Sequence, residues 1–177
     1  MILFVGDSIT HGTDWSKQVS FTEVQNIAVP GYLTDNLMNQ LPQIAEIKPK
    51  VISLCIGTND LGNEPPLRSG EDVGKRVTTI IGELVNQNAN THVVVNSILP
   101  RSEAFTEKIL VANKIISAFT HQRVTYLDCW PTLSLNNYLR PEYLLDDGFD
   151  AHLSDEGYQA WGSILIPLLE KLHSKTN

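Results

Sequence analysis

The sequence predicts an α/β fold of three layers (α/β/α), with a five-stranded parallel sheet between two layers of helices. Two observations support this class: short apolar runs alternate with segments of helical spacing, and the runs are apolar at successive positions, as in strands buried on both faces. Strands separated by helices favour parallel pairing through right-handed crossovers. The predicted strands are Met1–Val5, Val24–Val29, Val51–Ile56, His92–Ser97 and Val124–Asp128.

The predicted helices follow from apolar spacing and from the residues that begin or end helices. One helix begins at Thr34 or Asp35 and stops at Pro49, and Ser154 caps a final helix. The apolar spacing predicts two more helices, over Glu71–Asn88 and Glu103–Thr120. Trp130–Asp150 is the least regular segment, with a short helix near Pro141. The sequence contains no internal repeat and no linker, so residues 1–177 are predicted to form one domain.

Composition narrows the possible classes of function. The 177 residues are 42% hydrophobic and 19% charged, which suits a soluble globular domain. The net charge of -7, with scattered Lys and Arg, argues against a nucleic-acid partner. No apolar run approaches the ~20 residues that span a bilayer. No basic segment precedes the first strand, so we expect a cytoplasmic protein without membrane insertion.

Cysteine and histidine usage gives no sign of a metal site. Cys55 and Cys129 fall in apolar strand-like runs, which predicts buried free thiols. No group of His, Cys and acidic residues has the spacing of metal ligands. We therefore expect neither a metal nor a cofactor.

Polar residues follow the predicted strands at the edge where open α/β sheets bind ligands. Ser8 follows the first strand on a turn made by Gly6, and is a candidate nucleophile or, equally, a simple helix cap. His152 lies just before the last helix, after several carboxylates, and is a candidate base. The side chain of Asn59 and the backbone N–H groups of Gly31 and Ser8 are candidate donors to an oxyanion.

These motifs together resemble the SGNH (GDSL-type) hydrolase superfamily. Gly6-Asp7-Ser8, Gly31, Gly57-Thr58-Asn59-Asp60 and His152 occur in the family's order, over nearly the whole chain. The resemblance implies a flavodoxin-like fold and esterase chemistry without a cofactor. It implies Ser8 as nucleophile, His152 as general base, and the Ser8, Gly31 and Asn59 groups as an oxyanion hole.

One departure concerns the acid that orients His152. The family pattern Asp-x-x-His would place it at position 149, which is Phe149 here. Asp150 is the preferred candidate, because residues two apart on an extended backbone point the same way. Asp147 is the alternative acid, with Gly148-Phe149 as a turn, and a backbone carbonyl is a third possibility. Asp7 and Asp60 are expected to stabilise their own loops instead.

The resemblance implies a small-molecule ester as substrate. The pocket would be made by the loops 14–19, 61–70, 99–105 and 130–149, with candidate lining residues Trp15, Tyr32, Leu61, Arg101 and Phe149. The short chain leaves no room for a lid domain, which favours small water-soluble esters as substrates. Among these, an O-acetylated carbohydrate is the first candidate. Lysophospholipase or thioesterase activity comes second. A non-catalytic flavodoxin-like phosphate binder is the alternative class, although Asp7 beside the single glycine would repel phosphate.

Overall fold

A computed structural model describes residues 1–62 and 67–175 of the chain. Its main sheet is parallel and five-stranded, in the order β2-β1-β3-β4-β5. The strands are β1 (Ile2–Gly6), β2 (Val24–Asn26), β3 (Val51–Cys55), β4 (His92–Asn96) and β5 (Val124–Leu127). The predicted fold class is confirmed. Residues 63–66 of the predicted pocket loop 61–70 lie outside the described part of the chain.

Successive side chains of each strand point to opposite faces of the sheet, so both faces are apolar and each is covered by a layer of helices. They are α1 (Ser8–His11), α2 (Thr34–Ile47), α3 (Gly70–Gln87), α4 (Glu103–Ser117), α5 (Trp130–Leu133) and α6 (Asp155–Lys175). Leu3 and Val5 of β1 pack in one apolar cluster with residues of α2, α3 and α4. Ile2 and Phe4 pack in a second cluster with residues of α5 and α6. All five residues of β1 and of β3 are buried.

The irregular segment after β5 contains structure that the sequence analysis did not predict. Ser134–Leu135 (β6) and Tyr138–Leu139 (β7) form an antiparallel hairpin. Asn136 and Asn137 between them have φ of 52° and 68°, the two positive angles of a type I′ turn. The short helix expected near Pro141 is a single 3₁₀ turn, Pro141–Tyr143.

The strand order brings the loops after β1, β2 and β3 to one edge of the sheet. From β1 the chain crosses to β2 on one side and then to β3 on the other, so the order reverses between β1 and β3. Open α/β sheets bind ligands in the crevice at such a reversal. In register, Gly6 at the end of β1 lies opposite Cys55 of β3, and Val29 N donates to Gly6 O at 3.1 Å. Ser8 follows soon after Gly6, Gly31 soon after Val29 and Asn59 soon after Cys55, so the three residues lie near one another at this edge of the sheet.

Candidate active site

Ser8 begins helix α1 immediately after β1. Asp7 is the N-cap of that helix, and its buried side chain accepts the backbone N–H of Ile9 at 3.0 Å. Burial raises the pKa of Asp7 to about 7, although the Ile9 hydrogen bond opposes this change. Gly6 allows the close approach before the turn, because a Cβ there would lie 2.2 Å from the carbonyl oxygen of Cys55. The expectation that Asp7 stabilises its own loop is confirmed.

Ser8, His152 and Asp147 form a continuous hydrogen-bonded chain. Ser8 Oγ lies 3.0 Å from His152 Nε2, and His152 Nδ1 lies 2.6 Å from Asp147 Oδ2. A carboxylate at Nδ1 favours the tautomer with its proton on that nitrogen, so that Nε2 accepts from the serine hydroxyl. The hydrogen bond from His152 is the main reason that the pKa of Asp147 lies below its usual value. This arrangement can move a proton from the serine to the imidazole.

The preference for Asp150 as the partner of His152 is wrong. Gly148 has a φ of +86°, and Phe149 N donates to Asp147 Oδ1 at 3.0 Å. The backbone therefore turns between Asp147 and His152, and the rule for an extended strand does not apply. The turn brings the carboxylate of Asp147 to the imidazole, as the alternative prediction had it.

Asp150 faces away from the imidazole and binds Arg101. Its Oδ1 accepts from Arg101 Nε at 3.1 Å and from Nη2 at 2.5 Å. Its Oδ2 accepts from the backbone N–H of Ser102 at 3.3 Å and from the Ser102 hydroxyl. Burial raises the pKa of Asp150, but the hydrogen bonds from Arg101 and Ser102 outweigh burial and leave that pKa below its ordinary value.

Arg101 connects three loops beneath the site. Besides Asp150, its Nη1 donates to the carbonyl oxygen of Thr58 at 3.2 Å, one residue before Asn59. Its guanidinium carbon lies 3.8 Å above the centre of the Phe105 ring. Only 13% of the side chain is exposed. Arg101 therefore belongs to the supporting structure, and its predicted place in the pocket lining is wrong.

Gly31 lies in a tight turn that leaves its backbone open. Tyr32 N donates to Val29 O at 3.2 Å, and Gly31 has a φ of +79°. The sequence Val29-Pro30-Gly31-Tyr32 has proline and glycine at the two positions that a type II turn favours. A Cβ at Gly31 would meet nothing within 4 Å, so this turn faces open space.

Asn59 and Asp60 join the loop after β3 to the loop after β2. Asn59 Nδ2 donates to Tyr32 O at 3.0 Å, which fixes the plane of the amide and leaves its second N–H for another acceptor. Asp60 is buried and accepts from Thr34 N at 2.9 Å and from Thr34 Oγ1 at 2.6 Å. Arg68 Nε forms an ion pair with the same carboxylate at 3.0 Å. The expectation that Asp60 stabilises its loop is confirmed.

Two further residues predicted to line the pocket belong to the core. Trp15 is buried, stacks on Phe4 with ring centres 4.6 Å apart, and donates its indole N–H to Thr10 O at 2.9 Å. Leu61 is also fully buried and packs in the cluster with α2 and α3. Both predictions are wrong, because these apolar side chains point inward from loops that the sequence suggested were exposed. Tyr32 is half-buried and contacts Asn59 through its carbonyl group.

The hydroxyl of Ser8 and the ring of His152 share a small cleft of about 240 Å³. It is also lined by His11, Gly12, Pro30, Leu145, Leu153 and Tyr158. Tyr158 forms a fixed wall, because its hydroxyl donates to Ile9 O at 2.8 Å. Leu145 was not predicted to line the site, although the apolar pair Leu144-Leu145 just before the acidic turn was a signal in the sequence.

The described residues contain no group of His, Cys and acidic side chains that would hold a metal ion. Cys55 and Cys129 are buried and free, as predicted. Among the described helices, none has the length and apolar character to cross a membrane.

A serine, an imidazole and a carboxylate bonded in this order define the serine hydrolase class of site. Residues 4–160 match the GDSL-like lipase/acylhydrolase family. The chain belongs to this family and is an ester hydrolase. The resemblance drawn from its motifs is therefore confirmed.

Two curated relatives are similar over different lengths. Chicken platelet-activating factor acetylhydrolase IB subunit alpha2 is 31% identical over 108 residues, which are 58% of this chain and 45% of that protein. The human alpha1 subunit is 27% identical over 189 residues, covering 95% of this chain and 76% of the human protein. The chain thus spans less than half of the first relative and about three quarters of the second.

Two solved structures show the same fold. A GDSL-like lipase from Bacteroides thetaiotaomicron has a TM-score of 0.81 and 20% identity, covering 96% of this chain and 87% of the other. A carbohydrate esterase family 3 protein from Talaromyces cellulolyticus has a TM-score of 0.77 and 20% identity, covering 98% of each chain.

Proposed function

We propose that this ester hydrolase cleaves short-chain acyl esters through an acyl-enzyme on Ser8. One observation carries the proposal: Ser8 Oγ, His152 and Asp147 are joined by hydrogen bonds of 3.0 and 2.6 Å, and Ser8 and His152 line a cleft at the ligand-binding edge of the sheet. A serine hydroxyl is a weak nucleophile alone and needs a base within this distance.

In the acylation step, Ser8 Oγ attacks the carbonyl carbon of the ester while its proton passes to His152 Nε2. Asp147 holds the imidazole in the required tautomer and stabilises the imidazolium that forms. The carbonyl oxygen becomes an oxyanion, which the backbone N–H groups of Ser8 and Gly31 and the free amide N–H of Asn59 stabilise. The bond to the alcohol oxygen then breaks, and that oxygen takes the proton from His152.

In the deacylation step, water replaces the alcohol. His152 Nε2 takes one proton from the water, and the remaining hydroxide attacks the acyl carbon. The bond between Ser8 Oγ and that carbon breaks, Oγ recovers a proton from the imidazolium, and the carboxylic acid leaves. Both steps use the same donors and the same base, so one site serves both.

The size of the cleft supports a short acyl group. About 240 Å³ is below the roughly 300 Å³ at which pockets for drug-sized ligands begin. The fixed Tyr158 and the turn at Pro30 bound this space. Two relatives carry the name acetylhydrolase, which agrees with acetyl as the acyl group. One structural neighbour is a carbohydrate esterase, which agrees with a carbohydrate as the alcohol portion. O-acetylated carbohydrate is one candidate substrate with such an acyl group.

The proposal is tested with p-nitrophenyl acetate, butyrate and palmitate. We expect kcat/KM to be highest for acetate or butyrate and to fall steeply for palmitate. Ser8→Ala and His152→Ala should each lower kcat by about 1,000-fold or more, and His121→Ala, a histidine outside the site, serves as the control. Wild-type turnover no faster than that of Ser8→Ala on every ester would contradict the proposal. A maximum at palmitate would refute the short acyl group.

A further inference from the structure

An apolar groove continues from the cleft on the side of His152. It has a volume of about 440 Å³ and is lined by Pro141, Leu144, Leu145, Asp146, Gly148, Phe149 and Asp150. Leu145 lines both this groove and the cleft that holds Ser8 and His152. The groove is therefore an extension of the candidate active site.

The large side chains of this groove are exposed. Phe149 is 64% exposed, and Leu144 and Leu145 are also among the exposed large hydrophobic residues. The ring centre of Phe149 lies 5.1 Å from that of His152. Three large apolar side chains gathered on one surface and next to an active-site imidazole indicate a binding surface rather than scattered exposure.

The groove is held rigidly in place by the same contacts that build the site. Leu145 N donates to His152 O at 2.9 Å, and Leu144 forms an antiparallel bridge with Leu153. Phe149 N donates to the carboxylate of Asp147, whose other oxygen binds His152. The backbone of Phe149 is therefore tied to the same carboxylate that binds the imidazole, which places the Phe149 side chain beside His152.

The chemistry of acyl transfer assigns an occupant to this side of the cleft. His152 Nε2 must deliver its proton to the oxygen of the departing alcohol, so that oxygen lies within hydrogen-bond distance of the imidazole. The rest of the alcohol then extends past the ring of His152, where Phe149 and Leu145 lie. The acyl group lies in the cleft bounded by Tyr158 and Pro30, with its carbonyl oxygen toward the donors at Gly31 and Asn59.

We propose that the groove formed by Leu144, Leu145 and Phe149 binds an apolar alcohol portion of the substrate. The preferred substrates are then short acyl esters of alkyl or aryl alcohols, not of sugars. This inference rests on the proposed function of the same site. It also displaces O-acetylated carbohydrate as the first candidate substrate, an expectation that rested on the lack of room for a lid domain.

The test is a series of acetates with unbranched alcohols: ethyl, butyl and hexyl acetate, with an acetylated monosaccharide as the polar alternative. The leaving oxygens of the three alkyl esters are chemically alike, so differences in kcat/KM report on binding of the alcohol. Each methylene buried in an open groove should raise kcat/KM about twofold, because it gains about half of the free energy of full burial. Hexyl acetate carries four more methylenes than ethyl acetate, so its kcat/KM should be about 16-fold higher. The sugar ester should fall below hexyl acetate.

The ratio of kcat/KM for hexyl acetate to that for ethyl acetate is measured in each variant, so that losses common to both esters cancel. Phe149→Ala and Leu145→Ala should each lower this ratio to about 3 or less, while Phe149→Leu should retain most of it. Phe21→Ala is the matched control, because Phe21 is a partly exposed phenylalanine whose ring lies 5.8 Å from that of His173. Phe21→Ala should keep the wild-type ratio.

The outcomes separate this inference from the proposed function. Turnover of every acetate that equals that of Ser8→Ala would overturn the proposed function itself. Turnover of ethyl acetate with no gain for hexyl acetate would overturn only the inference. The inference also fails if the ratio is unchanged in Phe149→Ala and Leu145→Ala, or if Phe149→Ala, whose side chain lines the groove and not the cleft, instead alters selectivity in a series of ethyl esters of lengthening acyl chain.

Discussion

Asp150 and Arg101 form a two-point ion pair, with Oδ1 2.5 Å from Nη2 and 3.1 Å from Nε. The pair connects the loop that carries Asp147 and His152 to the loop after β4. Through the Arg101 hydrogen bond to Thr58 O, it also reaches the loop that carries Asn59. Asp150 thus fixes the relative positions of these loops, while Asp147 contacts the imidazole. The two aspartates should therefore respond differently to the same substitution.

Asp147→Asn should lower kcat for p-nitrophenyl acetate by about 100-fold or more. The neutral amide accepts the Nδ1–H more weakly than a carboxylate and can instead donate an N–H to Nδ1, which favours the wrong imidazole tautomer. The imidazolium of the transition state also loses its counter-charge. Asp150→Asn should lower kcat by about three- to tenfold, because Asn keeps an acceptor for Arg101 and disturbs only positions. Steady-state kinetics of both variants provide the comparison.

The neighbouring acid Asp146 supplies the control for this pair of variants. Asp146→Asn changes the same charge in the same exposed turn and should leave kcat within about twofold of wild type. A larger loss of kcat in Asp150→Asn than in Asp147→Asn would reverse the assignment made from the structure. Equal and small losses in both would indicate that His152 works without a carboxylate.

Asn59→Ala should lower kcat by about 100- to 1,000-fold with KM within about threefold, because an oxyanion donor acts mainly in the transition state. Asn36→Ala is the control, since the Asn36 side chain accepts the backbone N–H of Leu33 at the start of α2. Kinetics are read together with thermal unfolding, because Asn59 also holds Tyr32 O. A rise in KM without a fall in kcat would contradict the assigned role.

Asp60→Ala should reduce the free energy of unfolding by about 3 kcal/mol, measured by urea denaturation. The substitution leaves the buried N–H and hydroxyl of Thr34 without their acceptor and leaves Arg68, 11% exposed, without its buried partner. Asp35→Ala is the matched control, because Asp35 also pairs with Arg68 but is 54% exposed and should contribute under about 1 kcal/mol. Equal losses in the two variants would refute the role of burial.

Asp7→Asn should become more stable, relative to wild type, as the pH rises from about 4 to about 7. Burial raises the pKa of Asp7 from 3.8 to about 7, so the folded protein holds a proton that the unfolded chain has released. The folded state therefore binds more protons across this interval, and wild-type stability falls as pH increases through it. The difference in free energy of unfolding between Asp7→Asn and wild type should therefore change by about 4 kcal/mol over this interval, because the pKa of Asp7 differs by about 3 between the folded and unfolded states.

Urea denaturation of both proteins at pH 4, 5.5 and 8 measures this difference, and Asn still accepts the N–H of Ile9 as a cap. Asp14→Asn is the control, because Asp14 is an exposed residue that caps a 3₁₀ turn, Trp15–Lys17, and hydrogen bonds from Ser16 lower its pKa. Its variant should show no gain in stability with rising pH. A constant difference between Asp7→Asn and wild type at all three pH values would contradict the raised pKa.

The sheet was predictable because its signal is local. Val51–Cys55 is apolar at nearly every position and is soon followed by Gly57, so its position follows from composition alone. The β6–β7 hairpin was missed because each strand has two residues, too few to show alternation. The pair Asn136-Asn137 was its only signal, as both residues tolerate the positive φ of a type I′ turn.

Site residues that directly follow a strand could be predicted from the sequence, whereas residues whose position depends on the conformation of a turn could not. Ser8 and Asn59 follow β1 and β3, and the sheet alone brings them to one edge. The choice between Asp147 and Asp150 depends on the φ of Gly148 and on the distant Arg101, which spacing along the chain does not encode. The inward orientation of Trp15 likewise depends on its stacking against Phe4, a contact across the fold.

The most direct test of the central claim is to detect the acyl-enzyme on Ser8. Wild-type protein is mixed with p-nitrophenyl acetate, quenched in acid within milliseconds, digested and analysed by mass spectrometry. We predict one acetyl group on the peptide that contains Ser8, with a burst of one p-nitrophenol per chain, and neither signal in Ser8→Ala. Acetylation elsewhere with Ser8 unmodified, or a burst of equal size in Ser8→Ala, would contradict the account.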